Sequence, residues 1–220
     1  MHAVCSTLRD AHRLNGTVVI LDIYRSSNTI LELLHNGAAR VVPVEAVETA
    51  QALKAAHPDW VLLGERGGET LPGFEGGNSP CEFGPDAAAG RTFILTTSGG
   101  TRCIDACGSR EFVIGSFANA AALIAHLRAV GGPATFWAVG DFATHDAEED
   151  VVCARYLAAL LAGEAPDFAA ARAAMLDCPG ADRLRRLHQL DDLDYCTRLD
   201  CRTVVPRRGT LPDGRVCIVA

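Results

Sequence analysis

An α/β fold built on a mostly parallel sheet is predicted by three observations. Apolar, β-branched runs recur along the chain: Thr17-Val18-Val19-Ile20-Leu21, Arg40-Val41-Val42-Pro43-Val44, Trp60-Val61-Leu62-Leu63 and Arg91-Thr92-Phe93-Ile94-Leu95-Thr96 among them. Segments with helical spacing separate them, so strands and helices alternate as in parallel sheets covered by helices. Polar residues gather just after the strands, while the strands are almost purely apolar, as expected of strands buried on both faces. The expectation is a three-layer α/β/α architecture whose ligands bind at the carboxyl ends of the strands.

Each element has its own signal. The strand at 17–21 ends on Asp22, and a helical pattern runs from Ile30 to Asn36, with Gly37 as its C-cap. Glu45 to Ala56 reads as a helix, with Val47, Ala50 and Leu53 in register. After the strand at 91–96 a helix is expected from near Arg102 to Gly108, followed by strand Phe112-Val113-Ile114. Ala120 to Val130 reads as a helix closed by Gly131-Gly132-Pro133, and Thr135 to Val139 as a strand. Asp150 to Ala162, Phe168 to Met175 and Ala181 to Leu190 read as helices. Val204-Val205-Pro206 and Arg215 to Val219 read as a closing hairpin around Pro212-Asp213-Gly214. One domain over residues 1–220 is expected, with a smaller helical and hairpin part from about residue 165.

Composition narrows the function. The chain has 220 residues and a formal charge of −7. That balance argues against nucleic acid, whose phosphates need clustered Lys and Arg. A small anionic phosphate ester needs only a local basic pocket. No apolar run approaches the ~20 residues of a membrane span, and the N-terminus lacks the apolar block of a secretory signal. A cytoplasmic protein is expected, without a membrane partner; a homo-oligomer stays open. The nine cysteines are scattered, without zinc spacing, and read as free thiols.

The candidate site collects in the loops after the strands. The long glycine-rich stretch Gly64 to Pro80 carries Glu65, Arg66, Asn78 and Ser79 on backbone that bends freely. The interval Glu69 to Gly90 is the longest without periodicity, which marks a functional loop. Asp22 and Arg25 follow the first strand, Thr97 and Thr101 the fourth, Ser116 and Asn119 the fifth, and Glu149 and Asp150 the sixth. Asp22, Glu65, Glu149 and Asp150 can supply oxygen ligands to a hard divalent cation. Arg25 and Arg66 can grip phosphate or carboxylate as planar forks. The set describes a metal-assisted site for a small, multiply anionic substrate. Asp22 can equally cap the helix that follows it. Cys196 and Arg202 have the Cys-x5-Arg spacing of a cysteine phosphatase, but no glycine bends the loop between them.

These residues also resemble a known family. Asp22-Ile23-Tyr24-Arg25-Ser26-Ser27-Asn28-Thr29-Ile30 is similar to the Asp-Val-Leu-Arg-Ala-Thr-Thr-Thr-Ile stretch of 2-phosphosulfolactate phosphatases. Gly64-Glu65-Arg66-Gly67-Gly68 and Gly77-Asn78-Ser79-Pro80 are its most specific marks. Thr96 to Arg102, Gly115-Ser116-Phe117-x-Asn119-Ala120, Glu149-Asp150-x-x-Cys153-Ala154 and Asp194-Tyr195-Cys196 follow in order. The resemblance implies a Mg²⁺-dependent phosphatase that converts (2R)-2-phospho-3-sulfolactate to 3-sulfolactate on the route to coenzyme M. It implies catalytic or metal roles for Asp22, Glu65 and Asp150, with Glu149 beside them, and a catalytic part for Arg25. It implies substrate contacts from Arg66, Asn78, Ser79, Thr97, Thr101, Ser116 and Asn119. Glu65 is expected on the metal side and Arg66 on the substrate side of one pocket. The chain departs from the pattern at Gly99, where the family often has Asn, and near Gly180. The alternative is a diverged, non-catalytic anion-binding member of the same fold.

Overall fold

The computed structural model describes residues 3–220. Among these, ten strands form one mixed sheet in two parallel halves. The first half contains β1 (Ala3–Ser6), β2 (Thr17–Leu21), β7 (Phe112–Ile114) and β8 (Ala134–Ala138), in the order β1-β8-β2-β7. The second contains β3 (Arg40–Pro43), β4 (Val61–Arg66) and β6 (Thr92–Thr96), in the order β3-β6-β4, edged by the short antiparallel β5 (Glu69–Thr70). Between the halves lies the hairpin of β9 (Arg207–Thr210) and β10 (Val216–Val219).

The hairpin is therefore not a closing flap. β9 pairs antiparallel with β7 at Val113↔Arg207, and β10 pairs antiparallel with β3 at Val41↔Ile218. Its first strand begins at Arg207, not at Val204, because Pro206 has no N–H to add to a ladder. Three successive antiparallel joins set the two parallel halves in opposite senses.

Helices cover both faces. α1 (Ser26–His35) leads from β2 to β3, and α4 (Gly100–Ala106) leads from β6 to β7. Each thus crosses from one half to the other. Ile30, Leu33 and Leu34 of α1 and Cys103 and Ile104 of α4 share one core with Val18 and Ile20 of the first half and Val41, Leu63 and Phe93 of the second. The alternate residues of β2, Val19 and Leu21, face the opposite core with α5 (Ala120–Val130), α6 (Glu148–Leu161) and the tail, as the two-residue period of a strand dictates. α2 (Val47–Ala56) covers Val42, Leu62 and Ile94 of the second half. A short α3 (Pro85–Ala88) precedes β6.

The tail belongs to the same body. α7 (Phe168–Leu176), α8 (Pro179–Arg186) and α9 (Leu190–Cys196) contribute Met175, Ala181, Leu184, Leu193 and Tyr195 to the core of β2 and β8. α8 starts earlier than its sequence pattern, with Pro179 in its first turn and Cys178 as N-cap. α9 was hidden by Asp191, Asp192 and Asp194, which interrupt its apolar spacing. β1 was hidden by its length, four residues on the sheet edge. Among the described residues no helix is long and apolar enough to cross a membrane.

Because the hairpin links the halves, its apolar anchor carries much of the sheet. Ile218 is fully buried against both. Ile218→Ala is expected to lower unfolding stability in urea by about 2–5 kcal/mol. Leu190→Ala, at a position 58% exposed, should change it by less than about 0.5 kcal/mol.

Candidate active site

The turn from β2 into α1 places the first acid. Ser27 N–H donates to the Asp22 carbonyl at 2.9 Å, and Ser26 N–H to Asp22 Oδ1 at 3.3 Å. Asp22 thus caps α1 with one oxygen. The other, Oδ2, lies beside the first turn of α4. A Cβ at Gly100 would stand 2.2 Å from Ser26 Oγ and 2.8 Å from Asp22 Oδ2, so only glycine permits this approach. Glu65, at the end of β4, is fixed from three directions. Its Oε1 accepts Ser98 N–H at 2.7 Å; its Oε2 accepts Gly68 N–H at 2.7 Å and Ser98 Oγ at 3.2 Å.

Asp22 and Glu65 line one narrow cleft of about 50 Å³ with Arg25, Asn78, Ser98, Asp141 and Arg183. Those residues come from the carboxyl ends of β2 and β8 in one half, of β4 and β6 in the other, and from α8. Burial, and next the negative charge of Glu65, push the Asp22 carboxyl up to about 6; Arg183 pulls the other way. Asn78 is buried, and its Oδ1 has no hydrogen-bond partner. Such an atom calls for a ligand. Both cleft arginines are held by acids: Arg25 pairs with Asp192 in the interior and donates to Gly68 O at 2.9 Å, and Arg183 Nη1 meets Asp141 Oδ1 at 2.7 Å.

The comparisons agree with this geometry. A family model described as 2-phosphosulpholactate phosphatase matches residues 4–209. The chain belongs to the 2-phosphosulfolactate phosphatase family. It is 33% identical over 215 residues to a probable 2-phosphosulfolactate phosphatase of Gloeobacter violaceus, covering 89% of this chain and 91% of that protein. A protein of the same description from Carboxydothermus hydrogenoformans is 32% identical over 216 residues, 91% of this chain and 89% of the relative. The match to that of Thermotoga petrophila is 38% over 112 residues and spans only 51% of this chain and 48% of the relative. Proteins of this family are, by their description, phosphoric monoester hydrolases.

The residues expected at the site divide into groups. Asp22, Arg25, Glu65 and Asn78 meet in the cleft. Asp150 lies beneath it: Oδ1 accepts Ile23 N–H at 2.7 Å and Oδ2 accepts Gly140 N–H at 2.9 Å, so both oxygens tie the β2 and β8 exit loops together. Burial, reinforced by Glu149 and Asp22, pushes its carboxyl up. Glu149 is buried and accepts the Cys178 thiol at 3.4 Å, and burial raises it too. Ser79 Oγ donates to Asp192, which holds Arg25. Thr97 and Thr101 bond to each other, Thr101 N–H to Thr97 Oγ1 at 3.3 Å, and knot the entry to α4. Ser116 and Asn119 form a capping box on a 3₁₀ turn, and Ser116 Oγ donates to Asn28 Oδ1 at 2.6 Å. Arg66 lies outside the cleft, on the neighbouring hollow. Glu65 and Arg66 therefore face two adjoining spaces rather than two sides of one pocket.

Other expectations meet the structure as follows. Cys196 is buried at the end of α9, burial holds its thiol far above the ordinary range, and Arg202 is paired with Glu32. No phosphate cradle joins Cys196 to Arg202. All nine cysteines are free. The sequence reading overlooked Arg183, one of three arginines in the Arg183-Leu184-Arg185-Arg186 run. Nothing local marks it; only the packing of α8 over the carboxyl edge brings it to Asp22.

The raised Asp22 carboxyl has a consequence for stability. Its folded value near 6 exceeds the ordinary 3.8, so the folded state keeps a proton that the unfolded chain loses. Without added metal, wild-type stability should therefore fall between about pH 4 and pH 6 relative to Asp22→Asn. Thermal unfolding of both proteins across that window checks it; parallel profiles would refute it.

Proposed function

We propose that the chain is a Mg²⁺-dependent phosphatase acting on (2R)-2-phospho-3-sulfolactate. One observation carries the reading: two carboxylates and an unpartnered buried amide oxygen share a small cleft at the carboxyl edge of the sheet. The family membership supports the substrate.

The donor set suits magnesium. Asp22, Glu65 and the Asn78 amide offer oxygens only, and Mg²⁺ takes one or two carboxylates, with waters and substrate phosphate oxygens completing its shell. No cluster of three or more Asp, Glu, His or Cys side chains able to hold a metal occurs among the described residues, which leaves the pair and the amide as the ligands proposed. The bound ion would offset negative charge on the phosphoryl oxygens. Glu149 and Asp150 are proposed as supports beneath the site.

The chain's own groups supply the rest. Asp22 presents Oδ2 toward the cleft, where it attacks phosphorus or aligns the water that does. In either case the bond from phosphorus to the ester oxygen breaks. Water supplies the new phosphate oxygen, and its protons end on the sulfolactate hydroxyl and the released phosphate. Arg183, at the mouth, adds positive charge where the phosphoryl group gains negative charge. Arg25, Asp192 and Ser79 hold the Gly68 turn in place behind it.

The direct experiment is phosphate release from (2R)-2-phospho-3-sulfolactate. Turnover with Mg²⁺ should vanish with a chelator and return with added Mg²⁺. Asp22→Asn should lower kcat by roughly a thousandfold. Release that ignores the chelator, or near-normal turnover by Asp22→Asn, would overturn the reading. An acid-labile phosphoenzyme would mark Asp22 as the nucleophile.

A further inference from the structure

Beside the cleft of about 50 Å³ lies a second hollow of about 440 Å³. The two share Ser98 and Phe142 as a common wall. The cleft alone suits a phosphoryl group; the larger hollow has room for the rest of a small ester.

Arg66 stands on the inner side of that hollow. Its Nη1 donates to Glu65 O at 2.6 Å, and its Nη2 donates to Glu45 O at 3.0 Å and Thr96 Oγ1 at 2.9 Å. These partners are neutral oxygens. Among the described residues, no carboxylate lies within ion-pairing distance of Arg66, whereas Arg25, Arg102 and Arg183 each have one. Arg66 is thus a half-buried guanidinium, fixed in position, with its charge uncompensated. Such a group has the planar geometry that sulfonates and carboxylates take up. Arg102 braces the wall: its Nη1 donates to Phe142 O at 2.7 Å, and its Nε lies 3.3 Å from Glu45 Oε1. Phe142 is 52% exposed with φ 52°, a left-handed conformation that this bond helps hold. The hollow's acids, Glu45 and Glu48, are exposed at its outer rim, where water screens them.

We propose that this hollow is a subsite for a second anionic group of the substrate, a sulfonate or carboxylate, with Arg66 as its partner. The inference rests on the phosphatase reading for the group placed in the cleft. It makes the preferred substrates phosphate esters that carry another strong anion close by. Esters with neutral tails leave Arg66 without its counter-charge and lose that part of the binding.

The test is calorimetric titration of 3-sulfolactate and, separately, of inorganic phosphate, with Mg²⁺ present. Wild type is compared with Arg66→Gln and Ala46→Asp. Ala46 lines the hollow, is exposed, and precedes α2 in extended backbone with φ −85°. Aspartate is a favoured residue at such an N-cap, so this variant adds repulsion without threatening the fold. Both variants should weaken 3-sulfolactate by at least about tenfold, as expected for loss of a charge-assisted contact, and leave phosphate affinity within about twofold. Equal weakening of both ligands, unchanged 3-sulfolactate affinity in Ala46→Asp, or no 3-sulfolactate binding by wild type would overturn the subsite. Arg66-dependent 3-sulfolactate binding without any phosphate release would keep the subsite and remove the phosphatase reading. Turnover with unaltered 3-sulfolactate affinity in both variants would do the reverse.

Discussion

Carboxylates bonded to the backbone N–H groups of neighbouring loops hold the carboxyl edge of this sheet together. Asp150 joins the exit loops of β2 and β8, and Glu65 joins the turn after β4 to the loop after β6. Asp192 reaches from α9 to fix Arg25 and Ser79. Each bond satisfies a donor that would otherwise be buried without a partner, at a cost of roughly 1–3 kcal/mol. Removing one acid therefore does more than delete a charge; it releases a loop. Asp22 differs, because its capping bond uses one oxygen and leaves the other facing the cleft.

That division separates support from chemistry. The acids bonded on both oxygens have little left to offer a ligand. The acid with a free oxygen lies in the narrow space with Glu65, where like charges and burial raise its affinity for a proton. The same two influences favour a divalent cation, which lets both carboxylates stay ionised. The cleft is built from both halves of the sheet, so it depends on the hairpin at the end of the chain as much as on the loops that line it.

Much of this was legible in the sequence, for a physical reason. Leu21 and Leu63 end apolar runs, so Asp22 and Glu65 had to emerge at strand ends. Asn78 was marked by the glycine-rich stretch around it. Asp150 was placed at the right edge, but a helix turn points its carboxylate under the loops, and no pattern in Glu148-Glu149-Asp150 distinguishes floor from rim. Ser116 and Asn119 have capping-box chemistry that serves the 3₁₀ turn itself. Arg183 and Asp192 were invisible because they arrive from helices distant in sequence. The insertion of β10 beside β3 depends on a contact between residues 41 and 218 that no local signal encodes.

Magnesium binding tests the central claim most directly. Calorimetric titration of Mg²⁺ into folded wild type, Asp22→Asn and Asp150→Asn separates the free acid from the tied one. Loss of binding in Asp22→Asn with retention in Asp150→Asn is the outcome this arrangement predicts. Retention in Asp22→Asn and loss in a folded Asp150→Asn would contradict it.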